Sequence, residues 1–90
     1  MKLAFITGAT KGIGRSTAIT FANAGWDLIL LARDLEMMEI LRDELSDTQS
    51  KINLVKCDLS NPFDIENSVK ESIEKYGCPS VLINNAGCAF

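Results

Sequence analysis

Histidine is missing altogether, and the three cysteines, Cys57, Cys78 and Cys88, form no Cys-x-x-Cys pair. A metal site would rest on thiolates alone, so three free thiols in a reducing compartment are the expected state. No apolar run approaches the roughly 18 residues that cross a bilayer. The opening MKLAFITGA holds one lysine and a short apolar stretch before Thr7, too little for a secretory signal. Basic residues are the minority: 9 Lys and Arg against 12 Asp and Glu leave a net charge of −3. That balance excludes a general affinity for nucleic acid or an anionic membrane, so any anion site must be built locally from a few placed groups. Repeats, low-complexity tracts and linkers are absent too. With 90 residues the chain suits one small domain, and a cytoplasmic location with no membrane partner is expected.

What the sequence does have is a regular change of hydrophobic period. Residues 2–7 (KLAFIT), 27–32 (DLILLA), 52–57 (INLVKC) and 80–84 (SVLIN) are short apolar runs, the pattern of strands buried on both faces. Between them lie three segments with helical spacing. The first, 12–24, groups Ile13, Thr17, Phe21 and Ala24 and ends at Gly25. The second, 34–46, opens on Asp34 as an N-cap and repeats Leu35, Met38, Leu41 and Leu45. The third is capped by Asn61, has Pro62 at its first position and Asp64 at the positive end of its dipole. Its stripe is Ile65, Val69, Ile73 and Tyr76, and Gly77 with Pro79 ends it. The order βαβαβαβ implies an α/β parallel sheet with right-handed crossovers; two crossovers running one way and one running back would make it Rossmann-like and doubly wound, partial, with strand order 3-2-1-4. Its switch point then falls at the C-terminal ends of strands 1 and 4.

Glycines cluster at the first of those ends. Gly8, Gly12 and Gly14 stand between a strand and a helix, where absent side chains let backbone N–H groups approach a ligand. With the positive end of the helix dipole, this suits a pyrophosphate. The Lys-Gly order is wrong for a P-loop, and no Gly-Lys-Ser/Thr follows. At the end of strand 2, where NAD-binding folds place an acid for the ribose 2′-hydroxyl, stands Arg33. A guanidinium cannot accept a hydrogen bond but clamps a phosphate. Lys11 offers a second cation nearby, which makes NADP the better fit. Asp34 would favour NAD if it reached the ribose, and the reading preferred here is that it caps the second helix. Arg15 adds charge whose direction the sequence leaves open.

These residues resemble the short-chain dehydrogenase/reductase family, in its subgroup with subunits of roughly 250 residues. Thr7–Gly14 (TGATKGIG) matches the T-G-x-x-x-G-x-G turn, Asp58-Leu59 the acidic-apolar pair after strand 3, and Asn84–Gly87 (NNAG) the motif after strand 4. The resemblance implies hydride transfer between NADP(H) and a small alcohol or carbonyl substrate, in a protein that forms homo-oligomers. It implies cofactor contacts by Gly8, Thr10, Lys11, Gly12, Ile13 (through its N–H), Gly14 and Arg33. Asp58 would accept from the adenine amino group, Leu59 would lie against the ring, and Asn85, Ala86 and Gly87 would line the adenosine ribose. Asn84 would tie strand 4 to its neighbours. Without the resemblance, Asp58 reads equally well as a turn residue and NNAG only as a turn.

The family's Tyr-x-x-x-Lys pair is not here. Tyr76 is the one tyrosine, and Ser80 stands four places on. Tyrosine's ordinary pKa near 10 needs a cation beside it to work as an acid/base at neutral pH. Tyr76 completes a helical stripe instead, so no catalytic residue is assigned. The expectation is an N-terminal, cofactor-binding part of a single Rossmann-type domain, inactive alone. The alternative is a non-catalytic NADP(H)-binding module. A methyltransferase of similar fold is disfavoured by Arg33, where a carboxylate for the ribose would be wanted. The intact mass of the protein from its own cell checks this: a value well above 9.8 kDa is expected, and 9.8 kDa itself would favour the binding module.

Overall fold

Two consecutive apolar strands form the centre of the molecule, which the computed structural model describes over residues 2–85. β1 (Leu3–Thr7) is buried at every position, and β2 (Asp27–Ala32) at every position but the first. Strands buried on both faces belong inside a parallel sheet, as the unbroken apolar runs predict. The sheet order is β3-β2-β1-β4, with β3 spanning Ile52–Lys56 and β4 Val81–Asn84, and every pairing is parallel. In register, Phe5 stands opposite Ile29 on one side and Leu82 on the other. The architecture is therefore the Rossmann-like half-sheet expected from the element order.

Helices α1 (Gly12–Asn23) and α2 (Leu35–Glu44) cover one face, and α3 (Pro62–Tyr76) covers the other. The first face buries Ala4, Ile6, Leu28 and Leu30 beneath Ala18, Ala22, Met38 and Leu41. The second buries Leu3, Phe5, Ile29 and Leu31, with Val69 and Tyr76 of α3 packed against them. Full burial of a Leu, Ile or Phe contributes about 1.5–3 kcal/mol, so these two strands carry most of the cohesion. The edge strands are only partly buried. On β4, Val81 and Ile83 pack against the first core, while Leu82 on the other face is 54% exposed. The element bounds differ from the sequence reading by one or two residues, the usual uncertainty at frayed ends.

Helix α1 corrects one expectation. The grouping Ile13, Thr17, Phe21 and Ala24 is not the buried face; Ile13 is 77% exposed, and Gly14, Ala18 and Ala22 face the sheet. The reason is proximity. A Cβ built on Gly14 would lie 2.1 Å from the carbonyl oxygen of Gly8 and 3.1 Å from the Cα of Ala9. A helix seated that close to its own entry turn has room only for small residues. Phe21 finds its place lower down, edge-on to Trp26 with ring centroids 5.0 Å apart. On α3 the face against the sheet is likewise centred on small residues, Ser68 and Ser72, and Ser72 Oγ donates to the Ser68 carbonyl at 2.7 Å. Ile73 and, on α2, Leu35 remain partly exposed, at 37% and 39%.

The caps follow the sequence. Asp34 accepts from Met37 N–H at 3.1 Å, and Asn61 accepts from Phe63 and Asp64 N–H at 3.0 and 3.3 Å. Two glycines in the entry turn, Gly8 and Gly12, have φ of 64° and 54°. Gly14→Ala and Gly12→Ala separate packing from conformation. Overpacking at Gly14 is expected to cost about 3 kcal/mol in urea unfolding. At Gly12, where nothing lies within 4 Å, only the left-handed backbone counts, about 1 kcal/mol. Equal losses would contradict the close-approach argument.

Candidate functional site

At the C-terminal ends of the strands a cleft of about 650 Å³ opens between the β1–α1 turn, the end of β2 and the β3–α3 loop. That volume lies within the usual range for small-molecule sites. Its lining includes Gly8, Thr10, Lys11, Arg33, Asp58, Leu59 and Asn85, so residues spread over most of the chain meet at the switch point between β1 and β4. Gly8 is anchored by its N–H donating to the Leu31 carbonyl at 2.9 Å. Lys11 is the N-cap of α1 with extended backbone and makes no side-chain cap bond, and no acid occupies the first turn. The first N–H groups of α1 therefore keep their donor capacity and the dipole its positive end.

Three predicted residues lie elsewhere. Gly12 and Ile13 line a shallow depression on the outer side of α1, with Ser16, Thr17, Thr20 and Phe21. Gly14 is buried under the turn, where its missing side chain serves helix-to-turn contact. Ala86 and Gly87 fall outside the described residues. Arg15 has a direction that the sequence left open: it pairs with Glu44, joining α1 to α2 away from the cleft. Arg33 stays exposed on the cleft wall. Asp34 also borders the cleft, but its Oδ1 is the α2 cap.

The β1 and β4 ends are joined by side chains. Thr7 Oγ1 donates to Asn84 Oδ1 at 2.8 Å and accepts from Asn85 N–H at 3.1 Å. This is the tie expected of Asn84, and it delivers Asn85 to the cleft. There the Asn85 Nδ2 is buried without a hydrogen-bond partner among the described residues, whereas buried donors are ordinarily paired.

At the third corner, Asp58 Oδ1 accepts from both the N–H and the Oγ of Ser60, at 3.0 and 2.6 Å. Ser60 was not singled out from sequence, although an Asp two residues before a serine is a known turn signal. The Ser60 hydroxyl, then its N–H, with Arg33 adding a smaller attraction, hold the Asp58 carboxyl below its ordinary value of 3.8. Behind the loop, burial pushes the Cys57 thiol up; the Ser68 hydroxyl opposes this, and the carboxylates of Asp64 and Asp58 add to it. Cys57 is thus a protonated, buried thiol rather than a nucleophile.

A model of the short chain dehydrogenases matches residues 2–90. The chain belongs to the short chain dehydrogenase family. It is 39% identical to farnesol dehydrogenase of Aedes aegypti over 87 residues, covering 96% of this chain and 36% of that protein. Its fold superposes on the alcohol dehydrogenase of the archaeon Thermococcus sibiricus, complexed with 5-hydroxy-NADP, with a TM-score of 0.84 and 32% identity, over 91% of this chain and 35% of that one. The L-sorbose reductase of Gluconobacter frateurii, complexed with NADPH and L-sorbose, gives 0.85 and 30%, over 96% and 33%. This short chain dehydrogenase sequence thus spans about a third of the length of the curated relatives it matches.

Because the folded value of Asp58 is lowered, its contribution to stability is present above the ordinary carboxylate value and lost as pH falls through the lowered one. Ser60→Ala removes the larger of its two Ser60 donors and keeps the backbone one. The Asp58 midpoint, followed by carboxyl ¹³C NMR, is expected to rise while staying below 3.8; an unmoved midpoint would exclude the hydroxyl as the cause.

Proposed function

We propose that residues 1–90 form the cofactor-binding part of one Rossmann-type domain in an NADP(H)-dependent oxidoreductase that acts on a small alcohol or carbonyl substrate. The observation that carries the cofactor assignment is charge placement. Lys11 and Arg33 border the same cleft as the glycine turn, while Asp34, the acid that would favour NAD, is engaged as a helix cap. The solved structures with NADPH and 5-hydroxy-NADP support it.

The residues present fit such a group. The Asn85 Nδ2, without a partner among the described residues, is a donor for the adenosine-side ribose, in a role shared with Ala86 and Gly87. The uncapped start of α1, with the backbone of Gly8, Thr10, Gly12 and Ile13, receives the pyrophosphate, and Gly14 keeps the helix close enough to do so. Arg33 and Lys11 hold the 2′-phosphate. Asp58, with Oδ1 given to Ser60, has Oδ2 to accept the adenine amino group, and Leu59 lies against the ring. When bound, the nicotinamide supplies or accepts the hydride. The protein is proposed to work in the cytoplasm, as a homo-oligomer and without nucleic acid as a partner.

A second reading, a non-catalytic NADP(H)-binding module, is favoured by one observation. Tyr76, the one tyrosine, packs against the Leu3–Phe5–Ile29–Leu31 core and has Ser80, not lysine, four places on. NADPH binding with no turnover of any alcohol or carbonyl in the protein isolated from its own cell would decide for it.

Arg33→Glu tests the cofactor. Loss of charge-assisted bonds worth about 1.5–3 kcal/mol predicts NADPH affinity reduced by roughly 10- to 100-fold. NADH affinity, read by the same fluorescence titration, should change by less than about threefold. Equal losses for both would remove the NADP assignment.

A further inference from the structure

We propose that Asp64, in the first turn of α3, is a positioning residue for adenine recognition: its carboxylate fixes the β3–α3 loop that presents Asp58 and Leu59 to the cleft. This rests on the nucleotide-binding reading above and adds a residue that does not itself line the cleft.

An acid in the first turn of a helix ordinarily answers the dipole, or reaches back to the N–H of the N-cap residue. Here the N-cap is Asn61, and its N–H is already given to the Asp58 carbonyl at 3.1 Å. Asp64 reaches three residues further, and its Oδ2 accepts from Asp58 N–H at 2.6 Å. That is a charge-assisted bond in a part-buried setting, the strong kind. Both backbone polar groups of Asp58 are thereby held, one by the α3 N-cap residue and one by the α3 carboxylate. Just upstream, Cys57 N–H donates to the Ala32 carbonyl at 2.9 Å, which pins the start of the loop to the end of β2. Ser60 then takes Asp58 Oδ1 through two bonds. With its backbone and Oδ1 so held, Asp58 has Oδ2 left to accept from a ligand. Helix stability alone does not explain why Asp64 bonds a residue outside the helix, since Asn61 already serves the exposed N–H groups of Phe63 and Asp64.

The test compares NADPH with its deamino analogue, in which hypoxanthine replaces adenine and the amino group is gone. The protein with its native sequence should prefer NADPH by roughly tenfold, the worth of one hydrogen bond to a carboxylate. Asp64→Ala should bring the two affinities to within about twofold of each other while binding of the deamino analogue stays near its native level. Asp64→Asn, which keeps an oxygen acceptor, should restore most of the preference. Asn61→Ala, which weakens the same helix without removing the Asp64 carboxylate, should lower the urea midpoint and leave the preference intact. A preference unchanged in Asp64→Ala, equal loss of both ligands there, or loss of preference in Asn61→Ala would each overturn the positioning role. No NADPH binding by the native protein would instead overturn the nucleotide reading, and NADPH bound without preference would overturn the role of Asp58.

Discussion

Everything at the top of the sheet depends on one contact that no side chain could occupy: Gly14 against the carbonyl of Gly8. A Cβ there would lie 2.1 Å from that oxygen, so the glycine is what permits the start of α1 to sit down onto the end of β1. From that follow the small buried face of α1, the outward turn of Ile13, and an uncapped helix start at the rim of the cleft. A looser turn would have allowed a conventional apolar helix face. It would also have drawn the first N–H groups of α1 away from the switch point, where a ligand meets the carboxyl ends of the strands.

Electrostatics is arranged on the same local scale. The chain is acidic overall, so an anion is not drawn by a general field. Of the four charges near the turn and the end of β2, two are given to structure: Arg15 to Glu44 and Asp34 to the cap of α2. Lys11 and Arg33 are left at the cleft. The carboxyl of Asp58, the other acid there, is lowered chiefly by Ser60, with Arg33 a smaller contribution.

The fold was legible because its signals are local. Unbroken apolar runs such as DLILLA, caps at Asp34 and Asn61, and glycine stops specified each element and, with right-handed crossovers, a parallel sheet. The cleft was legible in part, because Gly8, Lys11, Arg33, Asp58 and Asn85 each sit at a strand end. What the sequence hid were choices decided by distance. Spacing alone groups Ile13 with Phe21; only the closeness of helix to turn selects Ala18 and Ala22 as the buried set. Nor does spacing show that Arg15 turns to a partner on another helix, or that Asp64 bonds back to Asp58 across its own cap. Such bonds are fixed by tertiary geometry and carry no pattern in the chain.

The tie between Thr7 and Asn84 spans 77 positions, and it has a consequence for how the molecule comes into being. Of the four strands described, β1 comes first in the chain and lies between β2 and β4 in the sheet. On a growing chain it can pair with β2 early, yet its other edge stays open until β4 emerges. Closing so long a loop is slow relative to local structure, since chain entropy must be lost before any contact offsets it. Asn85, held by Thr7 through its N–H, therefore reaches the cleft only after β1 and β2 have paired.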